Sequence, residues 1–150
     1  MREHPLPRIV ILATGLSLVP LLAGLVAVLV PALVPLDPAV IERAIIGYAA
    51  LLLAFLGGVR WGIRIVSAKG SDLTYVLGAL GALVGLITLL LPFAPALAIL
   101  TVGFAAQGAW DVWSGFRHTV PELYARRRAG ATLMACLTLA AILITKGLSG

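Results

Sequence analysis

The chain has 150 residues, 61% of them hydrophobic, with 11 Lys and Arg against 6 Asp and Glu. A soluble domain carries about 25% charged residues; here the share is 11%, and windows 9–36, 44–59, 73–110 and 129–145 hold no Asp, Glu, Lys or Arg. One core cannot hide that much apolar surface, so a soluble globular domain is excluded. The net charge of +5 does not point to nucleic acid, because the basic residues sit at the ends of apolar runs, as membrane orientation requires. A single cysteine, Cys136, excludes an intramolecular disulfide and a cysteine-based metal site.

The expected fold is all-α: a polytopic membrane helix bundle forming one integral membrane domain over 1–150, with spans at about 9–30, 44–63, 73–91, 95–113 and 129–148. The first apolar run is longer than the 7–15 residues of a signal-peptide core and reads as a retained span. Pro20 lies inside it and predicts a kink. Pro31, Pro35 and Pro38 punctuate the connection that follows, and Asp37-Pro38 reads as an N-cap with proline at the first helical position. The second helix then runs to about Ser67. A tight turn at 69–72, with Ser71 or Asp72 as cap, makes the second and third helices antiparallel neighbours.

The 38-residue window is too long for one span, and Pro92-Phe-Ala-Pro95 divides it into two. Thr119-Val-Pro-Glu122 has capping-box spacing, and Glu122 stands four residues before Arg126, which together predict the start of the last helix. Five helices result. Their odd number forbids the equal inverted halves of many transporters.

Orientation follows from the loops. With the N-terminus in the cytoplasm, that side collects Arg2, Arg8, Arg60, Arg64, Lys69, Arg117, Arg126, Arg127 and Arg128, and the other side only Arg43 and Lys146. Such asymmetry predicts N-in, C-out. Trp61, Trp110, Trp113 and Tyr75 fall at the same interface, and Trp61, Trp110, Trp113, Tyr124, Arg126, Arg127 and Arg128 are the expected interface anchors. The basic run beside Tyr124 suits an anionic leaflet, each charge adding about 1 kcal/mol of attraction.

Polar residues inside the spans are the candidate site. Arg60 and Arg64 share one helix face, and Gln107, Asp111 and Ser114 share another at similar depth. An Arg60–Asp111 ion pair supported by Gln107 is geometrically reasonable, since intramembrane charges face the bundle and find partners. The alternative is that Arg60, near the end of its span, extends its head to the headgroups. Gly78, Gly81 and Gly85 thin the third helix for close packing, against an internal helix or another copy. His4 and His118 have no metal-ligand spacing around them, and no HExxH, GxSxG, CxxC or phosphate loop occurs. No catalytic residue, cofactor or metal is expected, and no enzyme.

Tyr48…Phe55-Leu-Gly-Gly-Val-Arg60-Trp-Gly62 resembles the Phe-Leu-Gly-Gly-x-Arg-Trp-Gly signature of the transmembrane protein 69 family, a five-span domain of unknown function in proteobacteria and mitochondria-bearing eukaryotes. Pro121, Tyr124, Arg128 and Thr132 match that family's Pro-x-Trp-Tyr-x-x-Leu-Arg-x-x-Leu-Thr segment, with Leu123, Arg127 and Ala131 departing from it. Gly103-Phe104 followed by Asp111 is similar to its Gly-Phe…Asp. The resemblance implies architecture and membrane location, and draws Arg60, Trp61, Asp111 and Arg128 together as positions worth testing.

The favoured function is a structural or assembly factor that binds a membrane partner in a bacterial inner membrane, or in the mitochondrial inner membrane if the host is eukaryotic. Homo-oligomerisation is the variant of this reading, and nucleic acid is no partner. The alternative is a small transporter or channel lined by Arg60, Arg64, Gln107 and Asp111. A path needs polar groups near the midplane, whereas these cluster at one interface.

Overall fold

A computed structural model describes residues 8–67, 72–117, 120 and 122–148. The predicted turn before Asp72, the Thr119–Glu122 capping box with its Glu122–Arg126 pair, and Arg2, His4, Lys69, His118 and Pro121 lie outside the described residues or side chains. Helices are α1 (Arg8–Leu16), α2 (Val19–Leu29), α3 (Pro38–Ser67), α4 (Leu73–Thr88), α5 (Phe93–Phe116) and α6 (Glu122–Leu148), with a short 3-10 turn at Pro31–Leu33. Among the described residues there is no strand.

The expected disturbance of the first span is an interruption at Ser17–Leu18, which parts α1 from α2 within one apolar stretch, Leu12–Leu29. The proline ring of Pro20 clashes with the carbonyl four residues back and offers it no N–H; that residue is Leu16, where α1 ends. Ser17 and Leu18 form the break. The Ser17 hydroxyl donates to the Thr14 carbonyl at 2.8 Å, and Tyr48 Oη on α3 donates to the Ser17 carbonyl at 2.8 Å. A Tyr48→Phe variant should therefore lose about 0.6–1.7 kcal/mol, the range for hydrogen bonds between membrane helices. Denaturant unfolding in detergent measures it, and an unchanged midpoint would show that Tyr48 does not brace the break.

Asp37 caps α3 as expected: its Oδ1 accepts the Ala39 N–H at 2.8 Å. Asp72 stands at the N-cap of α4, but its side chain makes no capping bond there. It instead faces Arg64, Oδ1 to Nη2 3.6 Å. The third predicted span, 73–91, is shortened to a 16-residue helix. Leu91 precedes Pro92, a position that disfavours helical backbone. Leu89, Leu90 and Leu91 accordingly turn, their N–H groups reaching the carbonyls three residues back at 3.0–3.3 Å. Past Pro92, α5 starts at once, with Pro95 in its first turn, where a missing N–H costs no helical bond.

α3 packs on α4 and α5 on α6 as the two main pairs, and α2 lies across α6 and α3. The glycines of α4 explain the first pair. Cβ atoms built on Gly78 and Gly85 would come 2.8 Å from the Gly57 carbonyl oxygen and 2.9 Å from that of Ala50. The small-residue face of α4 is thus used inside the chain. The core is apolar, centred on Leu21, Leu53, Leu97, Leu100, Phe104, Leu139 and Ile142.

Outward faces carry Leu51, Phe55, Leu90, Val102, Phe116, Leu137 and Ile144, all more than half exposed, while Arg60, Asp111, Gln107 and Arg128 are buried. That distribution reverses the soluble pattern of charged residues outside. Four stretches, Leu12–Leu29, Pro38–Val66, Phe93–Phe116 and Leu123–Leu148, are long and apolar enough to cross a membrane. The helices suggest a membrane protein.

Candidate functional site: a buried arginine–aspartate–arginine cluster

The site is assembled at the end of the bundle where α3 and α5 finish and α6 begins. Asp111 on α5 sits between two guanidiniums. Arg60 Nη2 on α3 lies 2.9 Å from Asp111 Oδ1, and Arg128 Nε on α6 lies 2.9 Å from Oδ2. Exposure is 5% for Arg60, 6% for Asp111 and 7% for Arg128, so neither arginine extends into solvent. The Arg128–Asp111 contact is ionic without a well-directed hydrogen bond.

Gln107, one turn before Asp111, serves the cluster in two directions. Its backbone carbonyl accepts a hydrogen bond from Arg60 Nη2, and its side-chain Nε2 donates to the Leu53 carbonyl on α3 at 3.2 Å. The side chain fits because position 81 is glycine; a Cβ there would lie 2.6 Å from Gln107 Nε2. On α6, Arg128 Nη1 donates to Tyr124 Oη at 2.9 Å, and its guanidinium carbon lies 5.6 Å from that ring's centre. Thr132, one turn further, packs on Gly108 of α5, where a Cβ would meet its Cγ2 at 2.7 Å. Tyr124, Arg128 and Thr132 therefore form one stripe of α6 that faces α5.

Of the polar residues singled out by spacing, Arg60, Gln107 and Asp111 come together and Arg64 does not. Arg64 pairs with the 95%-exposed carboxylate of Asp72 and lies 5.8 Å over the Tyr75 ring. Trp61 is 43% exposed, donates from Nε1 to the Tyr75 carbonyl at 2.8 Å, and meets the Tyr75 ring edge-on at 5.5 Å. Trp113 is exposed with Arg117 5.1 Å over its ring, Trp110 is half-buried, and Arg126 and Arg127 are exposed. Arg128 differs from those two neighbours. Its 4-residue spacing from Tyr124 and Thr132 is the sequence signal that separates it from the exposed run.

Chemically the cluster is an uneven ion set, two guanidiniums against one carboxylate. It leaves Arg60 Nε, Gln107 Oε1 and Arg128 Nη2 buried without a hydrogen-bond partner. Among the described residues no group of three His, Cys, Asp or Glu could hold a metal ion. Cys136 faces the Thr101 carbonyl, Sγ to O 3.6 Å, away from the cluster.

A family described as a protein of unknown function (DUF3429) matches residues 6–144. The chain belongs to the DUF3429 family. Comparison of this DUF3429 chain with curated proteins and with solved structures finds no match. The match covers α1 to α5 in full and α6 as far as residue 144, so Arg60, Asp111 and Arg128 all lie inside the DUF3429 domain.

Proposed function

We propose that this chain is a five-span inner-membrane protein of the transmembrane protein 69 type, with its N-terminus in the cytoplasm or matrix. Its role is that of a non-catalytic accessory or assembly factor for a membrane partner. One observation carries the reading: among the described residues, the buried charges Arg60, Asp111 and Arg128 are spent on holding α3, α5 and α6 together, at one end of the bundle. Toward the other end the core consists of Leu21, Ile45, Ile46, Ala49, Leu97, Leu100, Leu139 and Ile142. The buried threonines Thr88 and Thr138 are satisfied by carbonyls of their own helices, at Gly85 and Met134. This apolar half speaks against a transport path, which needs polar groups near the midplane.

The fifth span in this reading is α4 extended by the turn that reaches Pro92. The orientation rests on the nine-to-two division of basic residues. At the end with few basic residues, Lys146 Nζ meets Glu42 Oε1 at 2.6 Å, which leaves that face with little net positive charge.

Affinity purification from native membranes in a mild detergent, followed by mass spectrometry, tests the accessory role. A stoichiometric membrane partner is the expected result, and repeated recovery of the protein alone would overturn it. Topology has its own check. A phosphatase reporter fused after the last residue should be active outside the cytoplasm, and one placed in the loop around 118 should be silent; the reverse pattern refutes the orientation.

A further inference from the structure

A cleft of about 660 Å³ lies between α1, α3 and α6, within the range of about 300–1,000 Å³ common for ligand sites. It exists because the break at Ser17–Leu18 releases α1 from the bundle: α2 packs on α3 and α6, whereas α1 touches α6 only sparingly. Phe55, Leu56 and Val59 of α3 form one wall of the cleft. Opposite them, Gly130, Ala131 and Ala135 leave α6 smooth. From Tyr124 to Ala135 the α6 wall rises about 16 Å, enough for a long stretch of acyl chain lying parallel to the helices.

The two ends of the cleft differ in chemistry. Away from the start of α6 the lining is mostly apolar, with the hydroxyls of Thr14, Ser17 and Thr132 among it, while at the end where α6 begins it is lined by Tyr124, Arg127 and Arg128. Arg128 belongs to the cluster with one positive charge in excess, and its Nη2 is buried with no hydrogen-bond partner. Arg127 is exposed at the same end. An unbalanced buried guanidinium beside an apolar slot is complementary to an anion carrying a hydrocarbon tail. In the orientation proposed above, this basic end lies on the cytoplasmic side, where headgroups meet Trp and Arg side chains.

We propose that this cleft holds one anionic phospholipid, its phosphate against Arg127 and Arg128 and one acyl chain between α3 and α6. This is a built site within the chain, distinct from general attraction of the basic face to a leaflet. It rests on the membrane-spanning reading above and not on the accessory role.

Native mass spectrometry of the detergent-purified protein tests it, with phosphatidylglycerol or phosphatidylcholine added at equal concentration. One phosphatidylglycerol should be retained, and phosphatidylcholine should bind about fivefold more weakly or worse. Arg127→Gln should weaken phosphatidylglycerol about fivefold and leave phosphatidylcholine unchanged. Gly130→Leu should abolish retention, because a Cβ at Gly130 meets nothing within 4 Å and the larger side chain enters the cleft. Gly147→Leu, equally unobstructed at the far end of α6, should bind as the native chain does.

Equal retention of the two lipids overturns the proposal, as does undiminished binding to Gly130→Leu. Preference for a free fatty acid, or a second copy appearing in place of the lipid, overturns it too. If Gly130→Leu melts below the native chain without lipid, the exposed Arg127→Gln variant decides alone. Release of the chain from membranes by alkaline carbonate would refute the spanning reading itself, a different result from an integral protein that retains no lipid.

Discussion

An Asp111→Asn variant should lose about 3–5 kcal/mol of stability, the cost of breaking a buried ion pair by removing one partner. The loss belongs at the upper end of that range, because one carboxylate serves two guanidiniums at 2.9 Å each. Without it Arg60 and Arg128 face each other in a site that is more than nine-tenths buried. Replacing the whole set by apolar residues of similar size, Arg60→Met with Asp111→Leu and Arg128→Met, should restore most of the loss, since such replacements are often neutral or stabilising. Unfolding by SDS or heat in a mild detergent compares the single and triple variants. A single variant within about 1 kcal/mol of the native chain would show that the cluster does not hold the three helices.

The geometry also forecasts a rescue that fails. Exchanging the pair, Arg60→Asp with Asp111→Arg, would restore an isolated ion pair. Here it places a new guanidinium at position 111 against Arg128, so the double variant should be no more stable than Asp111→Asn. Full rescue by the exchange would mean that Arg128 lies elsewhere.

The second large effect is expected at Gly57. A methyl group there would overlap the Gly78 carbonyl oxygen, a backbone atom that can yield only if α4 moves as a body. Gly57→Ala should cost about 1–3 kcal/mol, as overpacking does, and it should loosen the contact of Trp61 with Tyr75 one turn away. Gly58→Ala is the control. A Cβ at Gly58 meets nothing within 4 Å, and alanine is favoured over glycine in a helix interior by up to about 1 kcal/mol. Adjacent glycines with opposite responses would establish the α3–α4 contact; equal responses would remove it.

Much of the helical order was legible in the sequence, because charge-free windows and prolines are local signals. Asp37 caps where its position predicts, and Pro92 parts α4 from α5. Pro20 announced a disturbance of the first helix but not its place. The ring acts on the carbonyl four residues earlier, and Tyr48, distant in the sequence, supplies a hydroxyl to the Ser17 carbonyl beside it. Arg128 was harder to place. In the sequence it is the last of three consecutive arginines, and only helical rotation of about 100° per residue turns it inward while Arg126 and Arg127 stay exposed. Gln107 showed its face but not its means, since its bond with Arg60 uses the backbone carbonyl. That contact depends on tertiary approach and leaves no mark on residue type.

The three charges also come from different stages of synthesis. Arg60 emerges with the third helix, Asp111 with the fifth and Arg128 only with the sixth. A lone arginine against lipid is costly, and the arrival of Asp111 first makes a neutral couple with it. The last helix then finds its own arginine matched to a carboxylate whose second oxygen faces it. The seat of α6 therefore depends on a carboxylate that α5 also holds against α3, so one ion set joins three helices far apart in the chain.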